Sequence, residues 1–224
     1  QRIMVVEVMG RDAGWLTGSA LFGGSELALI PECLMTKDKK EQFFELVQKR
    51  YNEKKNLIIA VSEGVRWWND ESKILDMVYA SSETDEYGHK RFGGVSGVIA
   101  SEISNKLGIS ARSQISGYYP RSGFCGEYDT LLTSTLADKV LDLLLREEYG
   151  KMPVMAKIVN KDEMQEYNTS SIDMGAIGNQ PLQDIYYDSN GFTFTDAYTD
   201  FLSHIIGNPS LPVFGYQFEK VKPL

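Results

Sequence analysis

Short apolar segments alternate along this chain with longer segments of helical periodicity. Residues 2–10, 26–32 and 56–63 are rich in Val, Ile and Leu, which is typical of buried strands. Residues 109–117 predict a fourth strand. Strands that alternate with helices form a parallel sheet covered on both faces, because each crossover returns the chain to the same end of the sheet. We therefore predict an α/β fold, a three-layer sandwich with a mainly parallel sheet.

The segments between these strands carry the periodicity of helices. Residues 38–54 place Phe43, Phe44, Val47 and Tyr51 on one face, with charged residues opposite. The other predicted helices are 12–24, 95–107, 127–147 and 193–207. Residues 64–93 and 161–192 predict polar, irregular connections because they show little periodicity, and 153–160 predicts a further strand.

The composition limits the classes of function. A net charge of −8 argues against a nucleic-acid-binding surface, and an anionic substrate would need local arginines to overcome it. Cys33 and Cys125 form neither a disulfide framework nor a metal-ligand spacing, so we expect reduced thiols in a cytoplasmic protein. No apolar run approaches the roughly 20 residues that span a bilayer. An apolar segment follows Gln1 directly, without a signal peptide, and we therefore expect a fragment of a longer chain.

Polar and glycine residues follow the predicted strands where a parallel sheet binds ligands. The first strand ends in Met9-Gly10-Arg11, the third in Glu63-Gly64 and the fourth in Gly117-Tyr118. A glycine at a strand-to-helix corner lets the backbone approach a ligand closely, and an arginine there can hold an anion. Since ligands bind at the carboxyl ends of parallel strands, these residues predict one site. A tight turn with a solvated arginine is the alternative.

Four segments, taken in order, resemble the phosphofructokinase family. They are VVEVMGRDAGW at 5–15, VSEG at 61–64, FGGVSGVIASEISNKLG at 92–108 and ARSQISGYYPRSGFCGEYD at 111–129. The resemblance extends over residues 1–150 and is looser beyond. It implies a phosphofructokinase-like C-terminal domain that binds fructose 6-phosphate over residues 1–160. Residues 161–224 would then be an extension that packs on a donor domain absent from this sequence.

The resemblance also implies a role for each matching residue. Arg2 and Arg112 would clamp the 6-phosphate of fructose 6-phosphate, reaching in from a neighbouring subunit of a homo-oligomer. Tyr118 would touch that phosphate, at a position where many members have histidine. Two arginines suit a dianionic phosphate, although Arg112 could instead form a surface ion pair. We expect the neighbouring Tyr119 to be a core aromatic residue.

Five further positions would hold the sugar and the reacting group. Met9 and Gly10 would line the sugar, Glu63 would accept a hydrogen bond from a sugar hydroxyl, and Arg121 would hold the sugar near its reacting end. Arg11 would stabilise charge on the phosphoryl group in transit, which is the main electrostatic task of phosphoryl transfer. Glu63 could alternatively cap a neighbouring helix. His89 matches a Gly-His loop of some members, for which we expect a structural role.

Differences between this sequence and the family pattern indicate which phosphoryl donor to expect. Tyr118 replaces histidine, and Ser122 interrupts the Arg-Gly-Gly run of ATP-dependent bacterial members. The Gly-Tyr-x-x-Arg form resembles pyrophosphate-dependent members, so pyrophosphate is the expected donor and ATP the alternative. A non-catalytic subunit that binds sugar phosphate or only assembles is a third interpretation. The sequence shows neither a Gly-Gly-Asp phosphate loop nor a Thr-Ile-Asp motif for a catalytic base. We therefore expect the fragment alone to be inactive, with Mg²⁺ bound mainly outside it.

Overall fold

The structure is a computed structural model that describes residues 2–84, 90–122, 125–159, 165–178 and 180–206. The strands are β1 Ile3–Val8, β2 Leu27–Leu29, β3 Leu57–Ser62, β4 Arg66–Asn69, β5 Ile74–Met77, β6 Tyr79–Thr84, β7 Lys90–Phe92, β8 Ala111–Ile115, β9 Lys151–Val159 and β10 Gln165–Asp173. The helices are α1 Trp15–Ser19, α2 Lys37–Lys54, α3 Val95–Leu107, α4 Glu127–Leu145 and α5 Asp196–Ile206. Two compact units divide these elements: the described residues of 1–120 with those of 181–224, and residues 121–180.

A four-stranded sheet forms the centre of the first unit, in the order β2-β3-β1-β8 with every pair parallel. β1 lies between β3 and β8, with Ile3 opposite both Leu57 and Ala111. The four predicted strands and the α/β fold with a mainly parallel sheet are confirmed. Because all four strands run the same way, their carboxyl ends share one edge of the sheet.

The two long helices α2 and α3 cover one face of this sheet. Phe43, Phe44 and Val47 of α2 are buried against sheet residues such as Ile3, as their spacing predicted. Ile99 of α3 joins the same cluster. On the other face, Thr17 of α1 hydrogen-bonds Ser62 of β3. The predicted helical faces and the three layers are therefore confirmed.

One charged residue of α2 departs from the predicted amphipathic pattern. Lys40 is only 1% exposed, although the charged residues of this helix were expected opposite its apolar face. Its Nζ lies 2.7 Å from Asp70 and 2.6 Å from Glu102, and it donates to the Trp68 carbonyl at 2.9 Å. A buried ammonium is tolerated when carboxylates and a carbonyl surround it in this way.

Two segments predicted as irregular are partly strands. β4 and β5 form an antiparallel hairpin within 64–93, in which Trp67 is buried and donates to Glu102 at 3.1 Å. β6 and β7 also pair, while His89 and its predicted loop lie outside the described residues. β10 pairs along its whole length with β9, so 161–192 is not only polar loop. Its sequence QEYNTSSID lacks apolar alternation, which is why periodicity did not reveal it.

Residues 121–180 form the second unit, which consists mainly of α4 and the β9–β10 pair. Among its described side chains, Leu143 is the one buried hydrophobic residue, at 5% exposure. The exposed large hydrophobic residues of this unit are Tyr128, Leu131, Val140, Leu141, Leu144, Leu145, Tyr149, Met152, Ile172, Met174 and Ile177. The unit therefore has little core of its own. The functional boundary at residue 160 stays a prediction, and residues 207–224 of the predicted extension lie outside the described residues.

Residues 181–206, which we name the return segment, belong to the first unit although 60 residues separate them from it in the chain. Tyr198 of α5 is fully buried in a cluster with Ile30 and Leu202. Its ring packs near Trp15 of α1, with ring centroids 6.4 Å apart. The predicted helix near 193–207 is confirmed as α5. None of the helices in the described part of the chain is long and apolar enough to cross a membrane.

Candidate functional site at the carboxyl edge of the sheet

The loops that follow β1 and β3 are joined by backbone and side-chain hydrogen bonds. The Gly64 N–H donates to the Gly10 carbonyl at 3.0 Å, and the Glu63 N–H donates to the Val8 carbonyl at 3.1 Å. The Gly10 N–H points at Glu63 Oε1, 3.4 Å away. The structure therefore brings Met9, Gly10 and Glu63 together at one edge, as the sequence predicted.

Two glycines allow these loops to approach so closely. A Cβ built on Gly64 would overlap the Arg11 carbonyl group, which is backbone and cannot swing aside. A Cβ on Gly10 would lie 2.9 Å from the Ala13 oxygen and 3.1 Å from Ser62 Oγ. Gly10 also has φ 154°, a region that side chains rarely adopt. The loop geometry therefore depends on glycine at both positions.

Arg11 occupies the outer part of this edge. Its side chain is 44% exposed, and its Nε lies 3.8 Å from Asp12 Oδ2. An ion pair this long and this exposed contributes little stability. Its fork of donors matches the oxygens of a phosphate.

Glu63 and Met9 are both half-buried beside Arg11. The glutamate offers acceptor oxygens, the arginine offers donors, and Gly10 between them is half-buried. Such a mixture suits a ligand that carries both hydroxyl and anionic groups. A solvent-exposed turn alone would not require the close contact at Gly64.

The end of β8 contributes to the same edge. The Ser116 N–H donates to the Glu7 carbonyl at 3.0 Å, which continues the pairing of β8 with β1. Tyr118 follows at 78% exposure, where its ring and hydroxyl face solvent. Tyr119 is 82% exposed, so its prediction as a core residue is wrong. It belongs to a short 3-10 helix, Tyr119–Arg121, which follows the mostly exposed strand β8 and has no buried residue.

Arg2 and Arg112 lie near the other end of the strands. Arg2 precedes β1, and Arg112 is level with Met4 in the β1–β8 register. Both are exposed. Strand alternation places Arg2, Met4 and Arg112 on one face, with the two arginine Cα atoms about 8 Å apart, since strands are about 4.8 Å apart and two residues rise about 6.6 Å. Met4 and Val8 are about 13 Å apart along β1 by the same rise. The two arginines are therefore near each other and remote from Gly10.

Arg121 is the first residue of the second unit and ends the 3-10 helix Tyr119–Arg121. It is exposed. The expected convergence of Arg121 with Arg11 and Glu63 stays a prediction.

One polar residue near this edge was not predicted from the sequence. Glu7 is only 3% exposed, and its carboxylate accepts hydrogen bonds from Gly94 N at 3.0 Å, Ser96 N at 3.0 Å and Ser96 Oγ at 2.9 Å. It thereby caps the N-terminus of α3, where unpaired N–H groups favour a carboxylate. The sequence did carry a signal for this burial. Strand alternation places Glu7 on the same buried face of β1 as Ile3 and Val5.

Comparisons with known proteins give a consistent result. The family described as Phosphofructokinase matches residues 1–144. A pyrophosphate–fructose 6-phosphate 1-phosphotransferase of Amycolatopsis mediterranei is 34% identical over 152 residues, covering 67% of this chain and 42% of the relative. An ATP-dependent 6-phosphofructokinase 1 of Nostoc is 31% identical over 152 residues, covering 67% of this chain and 40% of the relative. The chain thus spans less than half the length of these relatives.

A solved structure shows the same fold. The pyrophosphate-dependent phosphofructokinase of Nitrosospira multiformis matches with a TM-score of 0.72 and 20% identity. The match covers 93% of this chain and 49% of that chain. Both units of this chain thus have a counterpart in one known fold, and half of that fold has no counterpart here.

Proposed function

The chain belongs to the phosphofructokinase family, and we propose that it is the sugar-phosphate-binding part of a 6-phosphofructokinase of glycolysis. Such an enzyme transfers a phosphoryl group to the 1-hydroxyl of fructose 6-phosphate. The observation that supports this function best is the joined pair of loops after β1 and β3, where Gly10 N lies 3.4 Å from Glu63 Oε1 beside the exposed Arg11. A carboxylate acceptor and a guanidinium donor at one edge suit a phosphorylated sugar.

The predicted sugar-binding and catalytic residues each have a proposed role. Met9 and Gly10 line the sugar, and Glu63 accepts a hydrogen bond from a sugar hydroxyl. Arg11 stabilises the charge on the phosphoryl group in transit, because a guanidinium can follow charge that develops on its oxygens. Arg121 holds the sugar near its reacting end.

The 6-phosphate site is proposed to be shared between two copies of the chain. Arg112 is level with Met4, about 13 Å along β1 from Val8, and Arg2 lies farther still from Gly10. These arginines are therefore remote from the loops of their own copy. In a homo-oligomer, Arg2 and Arg112 of one copy reach the 6-phosphate bound by its neighbour, where Tyr118 also touches it.

Pyrophosphate is the proposed donor. The Gly117-Tyr118 form and the MGRDAGW segment support it, as does the 34% identity to a relative named for pyrophosphate. ATP is the alternative, because a relative named as ATP-dependent is 31% identical over the same length. The residues that would bind the donor are proposed to lie in the part of the enzyme that has no counterpart in this chain.

That donor half is also proposed to cover the second unit. A 60-residue unit with a single buried hydrophobic side chain among its described residues lacks the core that an independent domain needs. Leu131, Leu141 and Leu145 of α4 are exposed and available for such packing. Within the described residues, no three His, Cys, Asp or Glu side chains are placed to hold a metal ion. Mg²⁺ is proposed to be bound mainly outside this chain.

Titration calorimetry of the purified chain tests the sugar-phosphate site. Fructose 6-phosphate should bind, and fructose without phosphate should bind far more weakly. Arg112→Ala should weaken binding of fructose 6-phosphate by about two orders of magnitude, because removing a charge from a phosphate clamp costs about 2–5 kcal/mol and each decade is about 1.4 kcal/mol. Arg146→Ala is the matched control, since Arg146 directly follows α4, is exposed and pairs with Asp142 of that helix. Absence of binding by the unaltered chain, or unchanged binding by Arg112→Ala, would contradict the proposal.

A further inference from the structure

The carboxylate of Glu32, three residues after β2, connects residues 10–14, which we name the Arg11 loop, to the return segment. Glu32 Oε1 accepts two hydrogen bonds, from the Gly14 N–H at 3.0 Å and from the Leu182 N–H at 2.7 Å. Gly14 ends the loop that begins at Gly10, and Leu182 is the second residue of the return segment. One oxygen atom therefore fixes the distance between two chain segments that lie 168 positions apart.

The second oxygen of the same carboxylate is not used in this way. Glu32 Oε2 is buried and has no hydrogen-bond partner among the described residues. A buried acceptor without a partner is costly, and native proteins seldom keep one without a reason. Here the side chain is held where Oε1 serves both N–H groups, and Oε2 is left unpaired.

Further contacts attach the return segment to the start of α1. The Tyr198 hydroxyl donates to the Trp15 carbonyl, and its ring fills the space above Gly18, where a Cβ would overlap it. The Trp15 ring also contacts Tyr186 at 5.6 Å and Phe201 at 5.4 Å between centroids. Since Trp15 follows Gly14 directly, the aromatic contacts and the Glu32 hydrogen bonds secure neighbouring positions of the backbone.

We propose that the return segment is a strap that sets the position of the Arg11 loop, and that Glu32 is the positioning residue that connects the two. Arg11 lies three residues before Gly14, and its carbonyl packs against Gly64, so a shift at Gly14 moves the Arg11 backbone relative to Glu63. If the strap sets the position of the Arg11 loop, residues 181–206 are necessary for sugar-phosphate binding by Arg11 and Glu63. This consequence rests on the proposed function. Glu32 does not touch the ligand.

Two substitutions of Glu32 separate its position from its charge. Glu32→Gln removes the charge but keeps an oxygen that can reach both N–H groups. Glu32→Asp keeps the charge but is one methylene shorter, so its oxygens cannot reach both donors from the same backbone position. Glu53→Asp is the matched control, because Glu53 is an exposed residue of α2 whose ion pair with Arg50 is 3.8 Å long.

Amide hydrogen exchange, measured by NMR on the full 224-residue chain, tests the strap itself. In Glu32→Asp, the Gly14 and Leu182 amides should exchange at least about tenfold faster, which corresponds to about 1.4 kcal/mol of local opening, while core amides of β3 keep their rates. Glu32→Gln and Glu53→Asp should each leave Gly14 and Leu182 within about twofold of the unaltered chain. Equal acceleration of every amide in Glu32→Asp, or an equal effect of Glu32→Gln, would overturn the positioning role.

Calorimetric titration with fructose 6-phosphate then tests the link to function. Glu32→Asp should bind it at least about fivefold more weakly, and Glu32→Gln should bind it as the unaltered chain does. Unchanged affinity in Glu32→Asp, despite faster exchange at Gly14, would overturn the link between strap and site. If the unaltered chain binds no fructose 6-phosphate, the proposed function fails, and the exchange rates still decide whether the strap exists.

Discussion

Replacement of Gly64 by alanine tests the close contact between the two site loops. The new Cβ would overlap the carbonyl group of Arg11, so the loop after β1 must move away from the loop after β3. That movement also breaks the 3.0 Å hydrogen bond from Gly64 N to the Gly10 carbonyl. Overpacking a close-packed site costs about 1–3 kcal/mol, and a backbone hydrogen bond contributes about 1 kcal/mol.

We therefore expect Gly64→Ala to lower the free energy of unfolding by about 2–4 kcal/mol, the sum of those two contributions. For a chain of this length, each kcal/mol shifts Tm by about 2–4 °C, so the melting temperature should fall by on the order of 10 °C. Differential scanning calorimetry measures this shift. Binding of fructose 6-phosphate should weaken as well, since Arg11 and Glu63 no longer keep their spacing.

At Gly97 of α3, the same replacement of glycine by alanine should have the opposite effect on stability. A Cβ there would meet only Ser113 Oγ, at 3.9 Å, which is ordinary contact. Alanine is favoured over glycine inside a helix by about 0.8–1.0 kcal/mol, so Gly97→Ala should raise Tm by a few degrees. Equal melting temperatures for Gly64→Ala and the unaltered chain would refute the close contact and the loop geometry derived from it.

Two further predictions follow from the pKa values of particular side chains. A hydrogen bond from the Lys40 ammonium lowers the pKa of Asp70 from its usual 3.8. Ionised Asp70 therefore stabilises the fold at pH values above 3.8, and this stabilisation is lost as the pH falls through the lowered pKa. In urea unfolding at a series of pH values, the difference in free energy of unfolding between the unaltered chain and Asp70→Asn should shrink below about pH 4. Burial raises the pKa of the Cys33 thiol while Cys125 is exposed, so iodoacetamide should label Cys125 quickly and Cys33 slowly; rapid labelling of both in the folded chain would contradict the core around Cys33.

Most of the parallel sheet was predictable because β1, β2 and β3 consist largely of apolar residues with buried or half-buried side chains. Ile3 to Val8 and Leu57 to Ser62 are examples, and the glycine and charged residues after them marked the site edge. β4 and β10 were missed because one face of each is polar or exposed, which removes the apolar run that periodicity detects.

Residues that act through distant partners were harder to predict. Lys40 is buried because Asp70 and Glu102 meet it from other elements, and nothing within α2 indicates those partners. Glu32 depends on Leu182, 150 residues later in the chain. Local patterns do not determine such pairings, since the fold alone brings the segments together. The roles of all the predicted site residues stay predictions: Arg2, Met9, Gly10, Arg11, Glu63, Arg112, Tyr118 and Arg121.

A mixing experiment tests the shared sugar-phosphate site most directly. Arg112→Ala removes the phosphate clamp that one copy is proposed to supply, and Glu63→Ala removes the sugar contact supplied by the other. Each variant alone should bind fructose 6-phosphate weakly. After the two are unfolded together and refolded as an equal mixture, random pairing should restore about a quarter of the sites in a two-fold dimer, because half the dimers are mixed and each carries one intact site. Titration of the mixture should show that fraction binding with the affinity of the unaltered chain. A mixture that binds no better than its components would contradict a site built from two copies.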